Sequence, residues 1–169
     1  MGIVSFFKEA GQKLFGHKEA EAAAQEAQAA PDDTARQERI AQANATAAAS
    51  IAAYIGTQNL SADGLAVEFD AATSTVSVSG AAADQATKEK ILLCCGNVHG
   101  VENVSDLMTV SEPADESTYH TVERGDTLSA IAKKVYGNAN AYNKIFEANT
   151  PMLSHPDKIY PGQLLRIPA

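Results

Sequence analysis

Residues 91–104 read ILLCCGNVHGVENV. The run opens as the apolar end of a helix, stops at Gly96, turns again at Gly100 and leaves as an alternating strand, so its middle is backbone with few evident internal partners. The last four carbonyls of a helix have no intrahelical donors and carry the negative end of its dipole, which suits a cation. Closed by residues 1–16, this turn would make a cation site of main-chain oxygens. Gly11 and Gly16 in the opening stretch, with Gly96 and Gly100, give the chain freedom to turn inward near two helix ends. The same glycines serve equally well as plain helix caps, and residue types alone leave the two readings level.

No catalytic constellation stands beside this turn. His17, His99, His120 and His155 are scattered, and there is no His or Cys cluster at metal-ligand spacing and no glycine-rich phosphate loop. Asp63, Glu68 and Asp70 lack the alternating carboxylates of a calcium loop, so neither an enzyme nor a tight divalent site is expected. His99 reads as a surface residue. Cys94 and Cys95 are adjacent, which makes a disulfide between them sterically awkward and fits them as buried small hydrophobes in a reducing compartment. A large, weakly hydrated monovalent cation is held instead by several neutral carbonyl oxygens around a cavity and leaves almost no side-chain signature.

Composition narrows the partners. The 169 residues carry a net charge of −8, unevenly placed: 3 basic and 4 acidic groups in residues 1–30, 4 and 11 in residues 31–113, and 6 of each in residues 114–169. Nucleic acid is not expected, because neutralising phosphates needs a basic face. The acidic middle draws cations in general, but screening over about 8 Å prevents it from choosing among them. The start MGIVSFFKEAGQ has no basic n-region or sustained apolar run, and no stretch approaches the roughly 20 apolar residues of a membrane span. Phe6 stands where a myristoylation pattern needs Ser or Thr. A cytoplasmic protein is expected.

Elements must then position the turn. Ile3, Phe6, Phe7, Ala10, Leu14 and Phe15 fall at roughly helical spacing and predict an amphipathic helix ending near Gly16. Such a short helix needs a surface to dock on; its own protein, a membrane surface and a frayed end are the three readings. Residues 17–31 form an Ala-rich spacer closed by Pro31. Asp32, Asp33 and Thr34 open a helix reaching Ile55, with Gly56 as its stop. LAVEFD and STVSVSG alternate with period two and predict a hairpin turning at AATS. Asp84 opens the helix that ends at Gly96, and a third strand follows through Val101, Val104 and Leu107, with a register shift near Asp106. SEPADEST has the composition of a linker over residues 111–118. In the last stretch Ile131, Val135, Ile145, Leu165 and Ile167 can fill a small core.

Helix, two strands, helix and strand, with VSVSG, KEKIL and the G-V-x-x-V entry to the last strand, resemble a BON domain over about residues 35–110. The run YHTV, RGDTLSAIAKKVYG, AYNKIFEAN and IYPGQLLRIP resembles a LysM domain over residues 119–168. Together with the MG…KEAG start, the chain resembles the BON–LysM potassium-binding protein family; the Ala-rich spacer and the Cys pair depart from its pattern. The resemblance implies an α+β fold: an N-terminal docking helix (1–16), the spacer (17–31), a BON domain with helices on a small three-stranded sheet (32–110), a linker (111–118) and a LysM βααβ domain (119–169). It implies a cytoplasmic, monomeric potassium sensor or buffer that holds the ion by main-chain carbonyls of Phe7, Ala10, Phe15, Gly96, Val98 and Val101 and compacts its domains around it. LysM modules also bind N-acetylglucosamine polymers, and the positions matching that groove are Gly125, Asp126, Thr127, Leu128, Ile159, Tyr160 and Pro161. A peptidoglycan-binding envelope adaptor is therefore the alternative.

Overall fold

Alanine, the strongest helix former, dominates residues 41–53. In the computed structural model, which describes residues 2–5 and 34–169, this stretch is the middle of helix α1 (Thr34–Thr57). Ala47, Ile51, Tyr54 and Ile55 recur at the i, i+4, i+7 and i+8 positions of one face, and all four are buried. That stripe lies in a core shared with Phe69, Val76, Val78, Ile91, Val98, Val101 and Val104.

The period-two runs form strands β2 (Asp63–Asp70) and β3 (Thr75–Asp84), paired antiparallel as expected. Gly80 has φ +133°, and a Cβ there would lie 3.0 Å from the Leu65 Cα, so only glycine lets the hairpin strands approach at this point. Helix α2 (Gln85–Gly96) is capped by Asp84, whose side chain accepts from the Thr87 N–H at 2.7 Å. It carries the chain across to strand β4 (Asn103–Glu112), which runs parallel to β3. A parallel pair requires such a crossover.

Three expectations are corrected here. Gly2–Ser5 is a strand, β1, rather than the start of a helix: it pairs antiparallel with β4 from Gly2↔Asp106 to Ser5↔Asn103. Adjacent β-branched Ile3 and Val4 favour an extended backbone, and the open edge of β4 supplies its hydrogen bonds. The first sheet accordingly has four strands, ordered β1-β4-β3-β2, and not three. The third correction concerns β4, which has no register shift near Asp106, for its pairing with β3 runs in step from Asn103 to Val110. Asp106 occupies the same alternation as buried Val104 and Met108 and is held by Lys88 of α2 at 2.8 Å, while Leu107 is 44 % exposed. An ion pair fills the position that a hydrophobic pattern assigns to an apolar residue. Phe7, Ala10 and Phe15, with the rest of the helix expected to Gly16 and the expected spacer over 17–31, lie outside the described residues.

Residues beyond β4 form a second cluster. Strand β5 (Thr118–Thr121), helix α3 (Leu128–Tyr136), a 3₁₀ turn (Ala139–Ala141), helix α4 (Tyr142–Ala148) and strand β6 (Leu164–Ile167) give the βααβ order, with β5 and β6 antiparallel. Ile131, Ile145, Leu165 and Ile167 are buried as the spacing predicts, but Val135 is 47 % exposed. Leu128, Ile131 and Ala132 already fill the face of α3 that meets this small core. In the last turn it is Tyr136 that packs against this core, its hydroxyl donating to the Pro168 carbonyl at 2.6 Å.

Candidate functional site

Helix α2 shows almost no amphipathic pattern because it is covered on two sides. Gln85, Glu89 and the whole run from Ile91 to Gly96 are buried, between the four-stranded sheet and β6 of the second cluster. Its C-terminal turn is therefore enclosed. Gly96, Val98 and Val101 are all buried, whereas His99 is exposed, as a surface residue should be.

The carbonyls at this helix end have different fates. That of Leu93 accepts from the Asn97 N–H at 3.1 Å and that of Cys95 from the Val98 N–H at 3.2 Å. Val98 accepts from the Val101 N–H at a long 3.3 Å, with Gly100 at φ +84° in the third position of the turn, the φ of a type II turn. Among the described residues, the Gly96 carbonyl receives no hydrogen bond. Gly96 is a buried residue, and a main-chain acceptor at the negative end of a helix suits a cation better than an apolar neighbour. Gly96, Val98 and Val101 of the predicted ligands all lie within this one buried turn. Among the described residues no group of three His, Cys, Asp or Glu side chains could hold a metal.

Asn97, between two of these residues, reaches outward. Its side-chain amide donates to Leu93 O at 3.2 Å and Leu164 O at 3.1 Å, while its oxygen accepts from Leu164 N at 2.9 Å. Asn149, at the end of α4, treats Arg166 in the same way, donating to its carbonyl and accepting from its N–H, both at 2.8 Å. Two asparagine side chains thus replace a missing strand along β6. Beside them Glu89 of α2 meets Arg166 of β6 at 2.6 Å, with side chains only 4 % and 10 % exposed. Gln85 and the Ser117 N–H bond the other Glu89 oxygen. Burial pushes the Glu89 carboxyl up, but these bonds from Gln85, Ser117 and Arg166 outweigh it and leave its pKa lowered. Sequence reasoning missed all four residues. An Asn at a helix end reads as an ordinary cap, and Glu89 within KEKIL reads as solvated charge; the available signal was the lack of a polar face on α2.

Cys94 and Cys95 are free and buried, and Cys94 Sγ lies 3.2 Å from Met152 Sδ across the same junction. Burial raises both thiol pKa values, that of Cys94 to about 12. Native protein at pH 8 is therefore expected to resist a thiol reagent and to release two equivalents only when denatured. Fast labelling of the native form would contradict this packing.

The groove positions fall on two neighbouring segments. Val122, just before the turn containing Gly125 and Asp126, exchanges backbone hydrogen bonds at 2.8 Å with Gly162 and Gln163, just after Ile159, Tyr160 and Pro161. Asp126 bonds His120 at 2.7 Å and the Glu123 N–H at 3.0 Å; burial opposes its charged form, but these bonds lower its pKa overall. Thr127 is exposed but caps α3 through the Ala130 N–H, and Leu128 is 2 % exposed, so its side chain belongs to the core rather than to a groove surface.

Comparison with known proteins bears on both regions. Residues 120–168 match the LysM domain. Over 168 residues the chain is 45 % identical to the potassium binding protein Kbp of Escherichia coli O6:H1, covering 99 % of each chain. The chain belongs to the Kbp family. A shorter likeness, 39 % identity over 75 residues, links 43 % of the chain to 29 % of an uncharacterized protein of Deinococcus radiodurans. The Kbp likeness spans α2, its C-terminal turn and the LysM region together. No described helix is long and apolar enough to cross a membrane.

Proposed function

We propose that this protein binds potassium, as the name of its Kbp relative says of that protein, and acts as a cytoplasmic sensor or buffer rather than an enzyme. The observation that carries the reading is the Gly96 carbonyl, buried at the C-terminus of α2 and accepting no hydrogen bond among the described residues. The ligands are main-chain carbonyls of Gly96, Val98 and Val101, completed by Phe7, Ala10 and Phe15 of the N-terminal segment. Potassium is matched by such neutral oxygens, whose number and spacing replace its water shell. The ion joins the opening segment (1–16) to the BON unit (32–110) and compacts both against the LysM unit (119–169). Ligand at about 1,000 times its dissociation constant adds about 4 kcal/mol to the folded state. Two free, adjacent, buried thiols suit a reducing cytoplasm.

Calorimetry with potassium chloride against sodium chloride at equal ionic strength tests this. A saturable heat with potassium and a much weaker one with sodium is expected; equal or absent heats reject it. The LysM match favours a second reading, a peptidoglycan-binding adaptor using the segments at Gly125–Asp126 and Ile159–Pro161. Co-sedimentation with purified peptidoglycan would support it, and protein left in the supernatant would reject it.

A further inference from the structure

We infer that Asn97 is a positioning residue for the cation turn, and that through it the LysM strand β6 sets the ion selectivity of a site to which it contributes no ligand. The inference rests on the potassium reading above. Asn97 follows Gly96 and precedes Val98, so its own two peptide bonds carry the Gly96 carbonyl and the Val98 amide. Its backbone N–H is tied to Leu93 O at 3.1 Å. Its side chain is tied to Leu93 O at 3.2 Å and to both polar backbone groups of Leu164, at 2.9 and 3.1 Å. Leu164 is itself fixed, paired with Thr121 across the β5–β6 ladder.

The chain of constraint is short. A carboxamide seated on a strand edge leaves the residue bearing it little freedom to rotate, because both its donor and its acceptor are used. The peptide between Gly96 and Asn97 is then held from one side by α2 and from the other by β6. Neutral carbonyl cages discriminate between alkali ions only if they resist shrinking around the smaller one, or keep their ligand number. A turn free to relax would close on sodium. One held by β6 does not. Linkage requires the reciprocal effect: an ion that favours the held turn also favours the Asn97–Leu164 bonds.

The test compares wild-type protein with Asn97→Ala and Met152→Ala. Met152 meets Cys94 at the same junction and, among the described residues, makes no hydrogen bond to residues 96–101, so its truncation loosens the contact without freeing Asn97. Potassium and sodium affinities are measured by calorimetry in choline chloride of constant ionic strength. Asn97→Ala is expected to lower the potassium-to-sodium affinity ratio by tenfold or more. Met152→Ala is expected to leave that ratio unchanged even where it lowers stability.

Amide hydrogen exchange of the wild type supplies a reading that needs no variant to fold. Potassium chloride should slow exchange at Leu164, bonded to Asn97, at least fivefold more than at Arg166, bonded to Asn149. An unchanged ratio in Asn97→Ala, an equal fall in both variants, or equal slowing at Leu164 and Arg166 overturns the inference while leaving potassium binding intact. Wild-type protein giving no potassium heat removes the potassium reading itself, and this inference with it.

Discussion

Glu89→Ala is expected to destabilise the folded protein by about 3–5 kcal/mol, the range found when one partner of a buried ion pair is removed. Glu89 and Arg166 are almost wholly buried, and the substitution leaves the Arg166 guanidinium without the 2.6 Å contact that balances it. Gln85 and the Ser117 N–H lose their acceptor as well. Urea denaturation followed by far-ultraviolet circular dichroism reads the loss as a lower midpoint. The double variant Glu89→Met with Arg166→Met should recover much of it, because replacing both charges leaves no unpaired ion. The pH dependence follows from the same carboxyl. Its folded pKa is depressed, so its contribution is complete above the unfolded carboxylate value of about 4.3 and is lost as pH falls through the folded one. A stability profile flat from pH 6 to pH 2 would contradict the assignment.

The second large effect is expected at Asn149. It is 1 % exposed and bonds Ile145 O at 2.7 Å as well as both backbone groups of Arg166 at 2.8 Å. Asn149→Ala leaves the Arg166 N–H and carbonyl buried without partners. At roughly 1–3 kcal/mol for each such group, the loss is about 3 kcal/mol or more. It should appear as a lower denaturation midpoint, with exchange at the Arg166 amide accelerated beyond that of its neighbours. A substitution with less than about 0.5 kcal/mol effect, the level of an ordinary surface change, would show that β6 does not need this clamp.

What could be read from the sequence followed local rules. Leu65, Val67 and Phe69 alternate and lie on the covered side of β2; Asp84 caps α2, and Gly96 ends it. Where the pattern failed, a longer-range partner had overridden it. Gly2–Ser5 has a helical spacing of apolar residues only when read together with Phe6 and Phe7, but β4 offers its first four residues an unpaired edge. Asp106 breaks the apolar alternation because Lys88 neutralises it, and no window confined to the strand contains Lys88. Val135 satisfies the helical period but is half exposed, because Leu128, Ile131, Ala132 and Tyr136 already cover the core. The turn proposed to hold the cation was legible only as glycine placement, since main-chain ligands would be indifferent to side-chain identity. The junction was not legible, because Asn97 with Leu164 and Glu89 with Arg166 are more than 60 residues apart and use residue types common at exposed helix ends.

The central claim is that the Gly96 carbonyl faces a potassium ion, and the carbonyl carbon resonance of Gly96 tests it most directly. On ¹³C-labelled protein titrated with potassium chloride against a constant total of potassium and sodium chloride, that resonance should move saturably, together with those of Val98 and Val101. Carbonyls of α3 in the LysM unit should stay in place. A Gly96 resonance unmoved through the whole titration, in protein that remains folded, would contradict the account.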